Sequence, residues 1–343
     1  MTPDASLAAP FLRRGLTMIA ALAVLGSIAP AKAGMEATSL AQTPAIMPFL
    51  AAYIAEDANI WRDNDLDVKV INLDGVATVN AVISGSADFA LSSSAALTRA
   101  AARGQRLLAL LALNNQSGQV TVIRKDIAEA AHFDPKAPLA ERAKVLKGHI
   151  IADGGVGSVA DVFLKTVAKG AGLDPGSFTI SPIGAFELLG AFSRKAIDGF
   201  SYSMPYPLQV ADDGTAVIVA DGTNNEPKEF MPLAAGLMLT RPSICTDKRS
   251  LCEKMGHSML LAVRFLLEKK PEALAIMKKR FPNVNDAVLH RAFDAVTRMT
   301  QMPPSISLVA MENGDRMNAE GGFLKPEDRV ASYDGLFTNE FLK

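Results

Sequence analysis

Short apolar segments alternate with segments of helical spacing along the first third of the chain. Strands are predicted over residues 37–41, 66–73, 88–91 and 106–113, and helices over residues 47–61, 75–83 and 95–102. The last of these strands is almost entirely apolar, so we expect it to be central in its sheet. A regular alternation of strand and helix predicts a mostly parallel sheet with helices on both faces.

The middle of the chain follows the same plan. A polar segment at residues 114–118 is a candidate crossing between two lobes, and residues 221–232 form a candidate return. Between them, strands are predicted over residues 119–123, 149–152, 178–180, 198–201 and 216–220. Residues 85–94 also resemble residues 195–203, because each has a helix end, an Asp-led strand and a hydroxyl-bearing loop. The pattern predicts two similar lobes, followed by a strand that rejoins the first lobe and then by helices.

A glycine-rich turn separates a predicted strand from a predicted helix near the centre of the chain. It contains Gly154, Gly155 and Gly157, and Ser158 stands where the N-cap of a helix over residues 159–168 belongs. The unpaired backbone N–H groups of such a helix start can hold an anion or a strong hydrogen-bond acceptor. The alternative is an ordinary strand-to-helix connection without a ligand, since glycine-rich turns alone are weak indicators.

Three more polar loops are expected at the edge of the first sheet where ligands bind. In open α/β sheets this is the edge at the carboxyl ends of the strands. Residues 42–47, 92–94 and 114–118 fall there, and each loop is rich in hydroxyl or amide groups. The run of three serines at residues 92–94 also precedes a predicted helix, so it is a second potential cluster of hydrogen-bond donors.

Composition narrows the class of protein. The chain has 343 residues, of which 49% are hydrophobic and 21% charged, and its net charge is −1. These values are typical of a globular protein long enough for two domains. No basic stripe is present, so we do not expect nucleic acid as a partner.

Residues 1–33 have the pattern of an export signal. Arg13 and Arg14 precede an apolar run at residues 16–28, and an Ala-x-Ala site ends at Ala33. We predict cleavage near Ala33 and a periplasmic mature protein. We expect ordinary secretion, although the arginine pair is also compatible with twin-arginine export.

Two cysteines are the main candidates for covalent chemistry. We expect Cys245 and Cys252 to form a local disulfide in an exported protein, with two separate thiols as the alternative. The four histidines are scattered without metal-ligand spacing, so neither a metal nor another cofactor is predicted. No nucleophile triad or phosphate-binding motif appears, and an enzyme is therefore not expected.

An ordered set of motifs resembles the periplasmic solute-binding proteins of ABC importers, in particular the nitrate/sulfonate/taurine group. The motifs are W-R-D-N-D-L-D-V at residues 61–68, A-V-I-S-G-S-A-D-F-A-L-S at 81–92, V-I-R-K-D at 122–126, L-K-G at 146–148 with Gly157-Ser158, and G-L-D-P at 172–175. The resemblance covers nearly the whole chain after the export signal.

The resemblance implies a two-lobed α/β fold in which each lobe is a mostly parallel sheet flanked by helices. Lobe one would comprise residues 34–117 and 236–343, and lobe two residues 118–235. A ligand would bind in the cleft, and the closed, monomeric protein would dock on an inner-membrane permease. The cleft residues implied are Thr43, Pro44, Met47, Ser92, Ser93, Ser94, Asn115, Gln116, Gly157, Ser158, Gly184, Tyr202 and Met204.

The ligand we expect is a small organic anion, and a nitrogen heterocycle is the alternative. The helix-start donors favour a small organic anion such as a sulfonate or carboxylate. The nitrogen heterocycle, such as a pyrimidine precursor, is the alternative because Tyr53, Trp61 and Tyr202 are available for stacking. An enzyme on the same scaffold is disfavoured by the lack of a cysteine cluster, and a sensory module that feeds no importer also remains open.

Overall fold

The computed structural model describes residues 34–174 and 176–343, so the predicted export signal lies outside the described residues. The strands are β1 (Glu36–Gln42), β2 (Leu66–Asn72), β3 (Phe89–Ser93), β4 (Leu108–Asn114), β5 (Gln119–Arg124), β6 (Ile150–Asp153), β7 (Thr179–Pro182), β8 (Gly199–Ser203), β9 (Ala216–Asp221) and β10 (Ala235–Thr240). The helices are α1 (Leu50–Asp57), α2 (Ile60–Asp63), α3 (Ala77–Ser84), α4 (Ser94–Ala102), α5 (Lys125–Ala130), α6 (Leu139–Ala143), α7 (Val159–Gly170), α8 (Ala185–Ser193), α9 (Tyr206–Asp212), α10 (Pro242–Asp247), α11 (Arg249–Glu268), α12 (Lys270–Arg280), α13 (Asp286–Met299) and α14 (Leu308–Glu320).

Two five-stranded sheets organise the fold, and they share one topology. The first has the strand order β2-β1-β3-β10-β4 and the second the order β7-β6-β8-β5-β9. In each sheet the first three strands are parallel and the fourth is antiparallel to both of its neighbours. Helices flank both sheets, which confirms the predicted α/β fold class. We call the first sheet with its helices lobe one and the second sheet with its helices lobe two.

The resemblance between residues 85–94 and 195–203 has a structural counterpart. Asp88 precedes β3 and accepts a hydrogen bond from the backbone N–H of Ser39 in β1 (3.2 Å). Asp198 precedes β8 and accepts one from the backbone N–H of Ile150 in β6 (2.9 Å). Each aspartate therefore ties the start of a central strand to its parallel neighbour, in equivalent places of the two sheets.

Strand β4 lies at the edge of its sheet, so the prediction that it is central is wrong. Strand β10, which comes more than a hundred residues later, inserts between β3 and β4. The free edge of β4 is covered instead by the end of the chain: Ala109 N–H donates to Leu336 O, and Thr338 N–H donates to Ala109 O (both 2.9 Å). Because this cover buries the edge, β4 is apolar without being central.

The helix predicted over residues 47–61 is divided in the structure. A short 3-10 turn at Met47–Phe49 leads into α1, and α2 follows after a break. Asn59 has φ +58°, a left-handed conformation that cannot continue a right-handed helix. The break lets Trp61 turn into the core of lobe one, where it is almost fully buried.

The chain crosses between the lobes at two connections. The first joins β4 to β5, and the second joins β9 to β10. The predicted lobe limit at residues 117/118 lies in the first connection, and the limit at 235/236 lies one residue inside β10. These limits remain a proposal for the domain organisation. Cys245 and Cys252 form a disulfide that joins α10 to α11. No helix within residues 34–174 and 176–343 combines the length and apolar character needed to cross a membrane.

Candidate functional site

A small cavity lies where the loops at the carboxyl ends of both sheets meet. About 80 Å³ of it is open to the centre of a water molecule. At roughly 10–15 Å³ for each water, the space suits several waters or one small ring. The lining residues are Thr43, Ile46, Pro48, Phe49, Gly75, Thr78, Leu91, Ser92, Ser93, Asn114, Ser117, Gly118, Gln119, Gly154, Ser158, Val159, Ala160, Tyr202, Ser203, Leu233, Ala235 and Gly236.

The structure brings together only part of the predicted site. Thr43, Ser92, Ser93, Ser158 and Tyr202 line the cavity. The remaining predicted residues lie outside its lining: Pro44, Met47, Ser94, Asn115, Gln116, Gly157, Gly184 and Met204. In two segments the residue that lines the cavity is the chain neighbour of the predicted one. Successive side chains of extended chain point to opposite faces, so a shift of one position exchanges a residue that faces the cavity for one that does not. Asn114 lines the cavity in place of Asn115, and Ser203 in place of Met204.

Met47 and Met204 join the two lobes beside the cavity. Met47 N–H donates to Met204 O at 3.0 Å, and both side chains are completely buried. The bond runs from the loop after β1 in lobe one to the loop after β8 in lobe two. These two residues therefore hold the cleft closed instead of lining it.

Ser94 is turned away from the cavity and packs against α14. A Cβ at Gly314 of α14 would clash with the Ser94 hydroxyl, so the two helices approach closely there. The Ser94 hydroxyl is buried, and no partner for it occurs among the described residues. Of the three serines, Ser92 and Ser93 are thus the ones that remain available to a ligand.

Two side-chain amides, Asn114 of the predicted polar loop and Gln119, line the cavity between the lobes although neither is among the predicted cleft residues. Asn114 Nδ2 donates to Pro48 O at 3.1 Å, which fixes the orientation of that amide because a carbonyl can only accept. Gln119 Nε2 bonds to the Ser203 hydroxyl at 2.7 Å. The oxygens Asn114 Oδ1 and Gln119 Oε1 are buried and have no partner within the described part of the chain. Both are acceptors that a ligand donor would satisfy.

Two helix starts present donors to the same space. The Ser158 hydroxyl caps α7 by accepting from Asp161 N–H (3.1 Å), and the Ser93 hydroxyl caps α4 by accepting from Ala96 N–H (3.3 Å). Each hydroxyl keeps its own hydrogen for a ligand. Val159 and Ala160 begin α7 and line the cavity, and their backbone N–H groups have no acceptor in the described ranges.

No charged side chain is found among the described residues that line the cavity. Carboxylates lie just behind its walls. Asp153 is fully buried and accepts from Gly155 N–H (2.7 Å). Burial, and then the neighbouring Asp161 carboxylate, raise the pKa of Asp153 to about 7. Asp161 accepts from Gly157 N–H (2.7 Å), so carboxylates already bind part of the glycine-rich turn.

Asp74 and Glu187 are two further carboxylates, and they lie near the lining residue Tyr202. Burial raises the pKa of Tyr202, and the Asp74 carboxylate raises it further. Burial, followed by the charge of Glu187, raises the pKa of Asp74. On the lobe-two side Lys165 Nζ lies 2.9 Å from Asp161, so the Asp161 carboxylate is paired with a cation. The charges of Asp74 and Glu187 beside Tyr202 are the ones that disfavour an additional anion.

No group of three or more His, Cys, Asp or Glu side chains within residues 34–174 and 176–343 is arranged to hold a metal ion. The site thus offers hydrogen-bond donors and acceptors, an aromatic wall from Tyr202 and Phe49, and small apolar contacts. These groups can bind and orient a small molecule.

A family model described as NMT1/THI5 like matches residues 47–231, which is more than half of the chain. The chain belongs to the NMT1/THI5-like family. The matched region includes most of the segments that form the cavity, from the 3-10 turn of lobe one to the end of lobe two. A comparison with curated proteins gives no match.

Solved structures share the fold of this NMT1/THI5-like chain. A protein from Bordetella bronchiseptica RB50 has a TM-score of 0.76 and 17% identity, covering 89% of this chain and 95% of that one. The alkanesulfonate-binding protein SsuA from Xanthomonas axonopodis pv. citri, bound to MOPS, has a TM-score of 0.67 and 17% identity, covering 87% and 97%. The nitrate-binding protein NrtA from Synechocystis PCC 6803 has a TM-score of 0.65 and 14% identity, covering 89% and 86%. The chain has the fold of periplasmic binding proteins of nitrate and sulfonate ABC importers.

Proposed function

We propose that this protein is the solute-binding component of an ABC importer and that its ligand is a small nitrogen heterocycle carrying N–H donors, such as a pyrimidine precursor. The ligand binds in the cavity between the lobes and is delivered to a membrane permease. The family and the fold support the transport role. The chemistry of the cavity lining supports the class of ligand.

The two unpartnered amide oxygens carry the choice of ligand. Asn114 Oδ1 and Gln119 Oε1 are buried acceptors in residues that line the cavity. A buried acceptor left without a donor costs about 1–3 kcal/mol. An amino-substituted ring supplies such donors, whereas a sulfonate or carboxylate brings only acceptors and would leave both oxygens unpaired.

Stacking on the aromatic wall fits the same class of ligand. Tyr202 lines the cavity and packs edge-on against Tyr206, with ring centroids 5.6 Å apart. Tyr53 and Trp61, the other aromatic residues considered for stacking, are instead buried in the core and do not line the cavity. A planar ring of modest size would be held by Tyr202 and Phe49.

A small organic anion is the second candidate. The free N–H groups of Val159 and Ala160 at the start of α7 favour it. Against it stand the carboxylates Asp74 and Glu187 beside Tyr202, and the absence of any charged lining residue in the part of the chain described. A desolvated anion without a paired cation is costly, so this candidate ranks second.

Binding of matched ligand pairs tests the proposal. Calorimetry would compare amino-substituted heterocycles with the same rings lacking the amino group, alongside sulfonates, carboxylates and nitrate. We expect amino-substituted rings to bind and Gln119→Leu to lose most of the preference for the amino group. Gln116→Leu is the matched control, because Gln116 lies on the same connection but outside the lining. Tight binding of sulfonates with no response to any heterocycle would refute the proposed ligand class.

Apolar side chains at the rim of the cleft support delivery to a permease. Val76 of lobe one and Val156 and Phe186 of lobe two are exposed to 39%, 78% and 73%. Two lobes that both present apolar groups at the mouth offer a surface that a permease would contact only when they are close together. Export would place the protein on the permease's side of the inner membrane, and mass spectrometry of the secreted form should find Gly34 as its first residue.

A further inference from the structure

The side chain of Arg99 links the lobes without lining the cavity. Arg99 lies on α4 of lobe one, is 95% buried, and its Nη2 donates to the carbonyl of Gly157 in lobe two at 2.6 Å. A charged donor to a backbone carbonyl is a strong hydrogen bond when water is excluded. Gly157 immediately precedes Ser158 and the free N–H groups that face the ligand space.

The guanidinium is held in place from the lobe-one side. Its Nη1 donates to Asn318 Oδ1 at 3.1 Å, and the group lies 5.4 Å from the centre of the Phe323 ring. Asn318 is itself fixed to α4 through Ala95 O (2.7 Å) and the Thr98 hydroxyl (3.0 Å). The guanidinium thus has a hydrogen bond and a ring contact outside the glycine-rich turn in addition to its bond to Gly157, and these contacts restrict its conformational freedom.

The Gly157 peptide is held from both sides in the closed arrangement. Its N–H donates to Asp161 Oδ2 (2.7 Å) within lobe two, and its carbonyl accepts from Arg99 of lobe one. Gly157 has φ +77°, and a Cβ there would lie 3.3 Å from both Arg99 and Val76. Only glycine gives the turn this conformation and lets lobe one approach it.

We infer that Arg99 is a positioning residue: by donating to the Gly157 carbonyl across the cleft, it holds the glycine-rich turn of lobe two against α4 and so stabilises the closed arrangement of the lobes. The inference rests on the proposed ligand-binding function of the cavity. Because the bond joins two lobes, it forms together with closure, and a ligand that stabilises closure stabilises the bond. Arg99 is not part of the cavity lining, so its contribution to affinity should be the same for every ligand.

The test replaces Arg99 by Met, which keeps an unbranched side chain but has no donor. Thr240→Val is the matched control, because it removes the hydrogen bond of a buried lobe-one hydroxyl to Asp88 O and involves neither Asn318 nor Gly157. We expect Arg99→Met to weaken every ligand by a similar factor, about ten-fold to a hundred-fold, and Thr240→Val to lower stability alone. Gln119→Leu should instead change the ratio between ligands.

A second measurement does not depend on a ligand. Hydrogen exchange of residues 154–162 in the ligand-free protein should be faster in Arg99→Met than in the wild type and unchanged in Thr240→Val. If no compound in the panel binds the wild type, the proposed ligand class fails while this exchange difference still supports the role of Arg99. Wild-type affinity together with wild-type exchange in Arg99→Met would overturn the inference. Should Arg99→Met not fold, Arg99→Lys replaces it, since one ammonium cannot reproduce both bonds, and the same outcomes decide.

Discussion

Replacing Asp153 by Asn should remove a pH-dependent loss of stability. Asp153 has a pKa of about 7 in the folded protein, against an ordinary value of 3.8, because it is fully buried and lies beside Asp161. Between these two pKa values the folded state holds up to one proton more than the unfolded state. The stabilisation from this proton is complete below pH 3.8 and is lost as the pH rises towards 7.

The size of this change in the free energy of unfolding follows from the binding of one proton. The free energy of unfolding of the wild type should fall by up to about 1.4 kcal/mol for each pH unit in this window, relative to a variant that cannot titrate. Asp153→Asn keeps an oxygen for Gly155 N–H and adds an N–H₂ that can donate to Asp161. Its advantage over the wild type should therefore grow by about 2 kcal/mol between pH 5 and pH 7 and level off above that.

Urea unfolding of both proteins at pH 5, 6, 7 and 8 measures this difference. Asp67→Asn serves as a control, because Asp67 is an exposed carboxylate on β2 and its replacement should leave the profile unchanged. Wild-type and Asp153→Asn profiles that run parallel across the whole range would show that Asp153 is ionised throughout. In that case the argument that burial beside Asp161 keeps Asp153 protonated in the folded protein would fail.

Two further substitutions probe the closed cleft and its rim. Gly118→Ala should lower stability by about 1–3 kcal/mol, because a Cβ at Gly118 would lie 2.5 Å from Cγ of Pro48; thermal unfolding checks this against Gly170→Ala, where no atom lies within 4 Å. Phe186→Ser should reduce uptake by cells without changing the dissociation constant of the ligand, because Phe186 is 73% exposed and lies outside the cavity lining. A loss of ligand affinity equal to the loss of uptake would contradict a docking role for Phe186.

Local patterns predicted the elements that build the site better than they predicted the side chains inside it. The Ser158 cap of α7 was identifiable because Ser followed by a helical apolar pattern has one common meaning. The Asp-led strands of the two lobes were also visible as a weak repeat. Asn114 and Gln119 were missed because the polar connection between them gave no indication of which side chains turn inward.

Long-range features escaped sequence analysis for a different reason. The antiparallel insertion of β10 next to β4 depends on a pairing across more than a hundred residues, which no local period encodes. The sequence around Arg99 does indicate that this residue is buried and paired. Its helix is built almost entirely from small residues, which is typical of a helix buried on all sides, and a charged residue in such a helix needs a partner.

The proposed function assigns selectivity and closure to separate sets of residues in this cleft. The uncharged lining, which includes Asn114 and Gln119, would distinguish ligands by which of their groups can donate a hydrogen bond. The bonds from Met47 to Met204 and from Arg99 to Gly157 join the lobes without touching that lining. A change in the second set should therefore shift all affinities together, because it alters the free energy of closure that every ligand shares. A change in the first set should alter the order of affinities, and the two kinds of variant can be told apart with only two ligands.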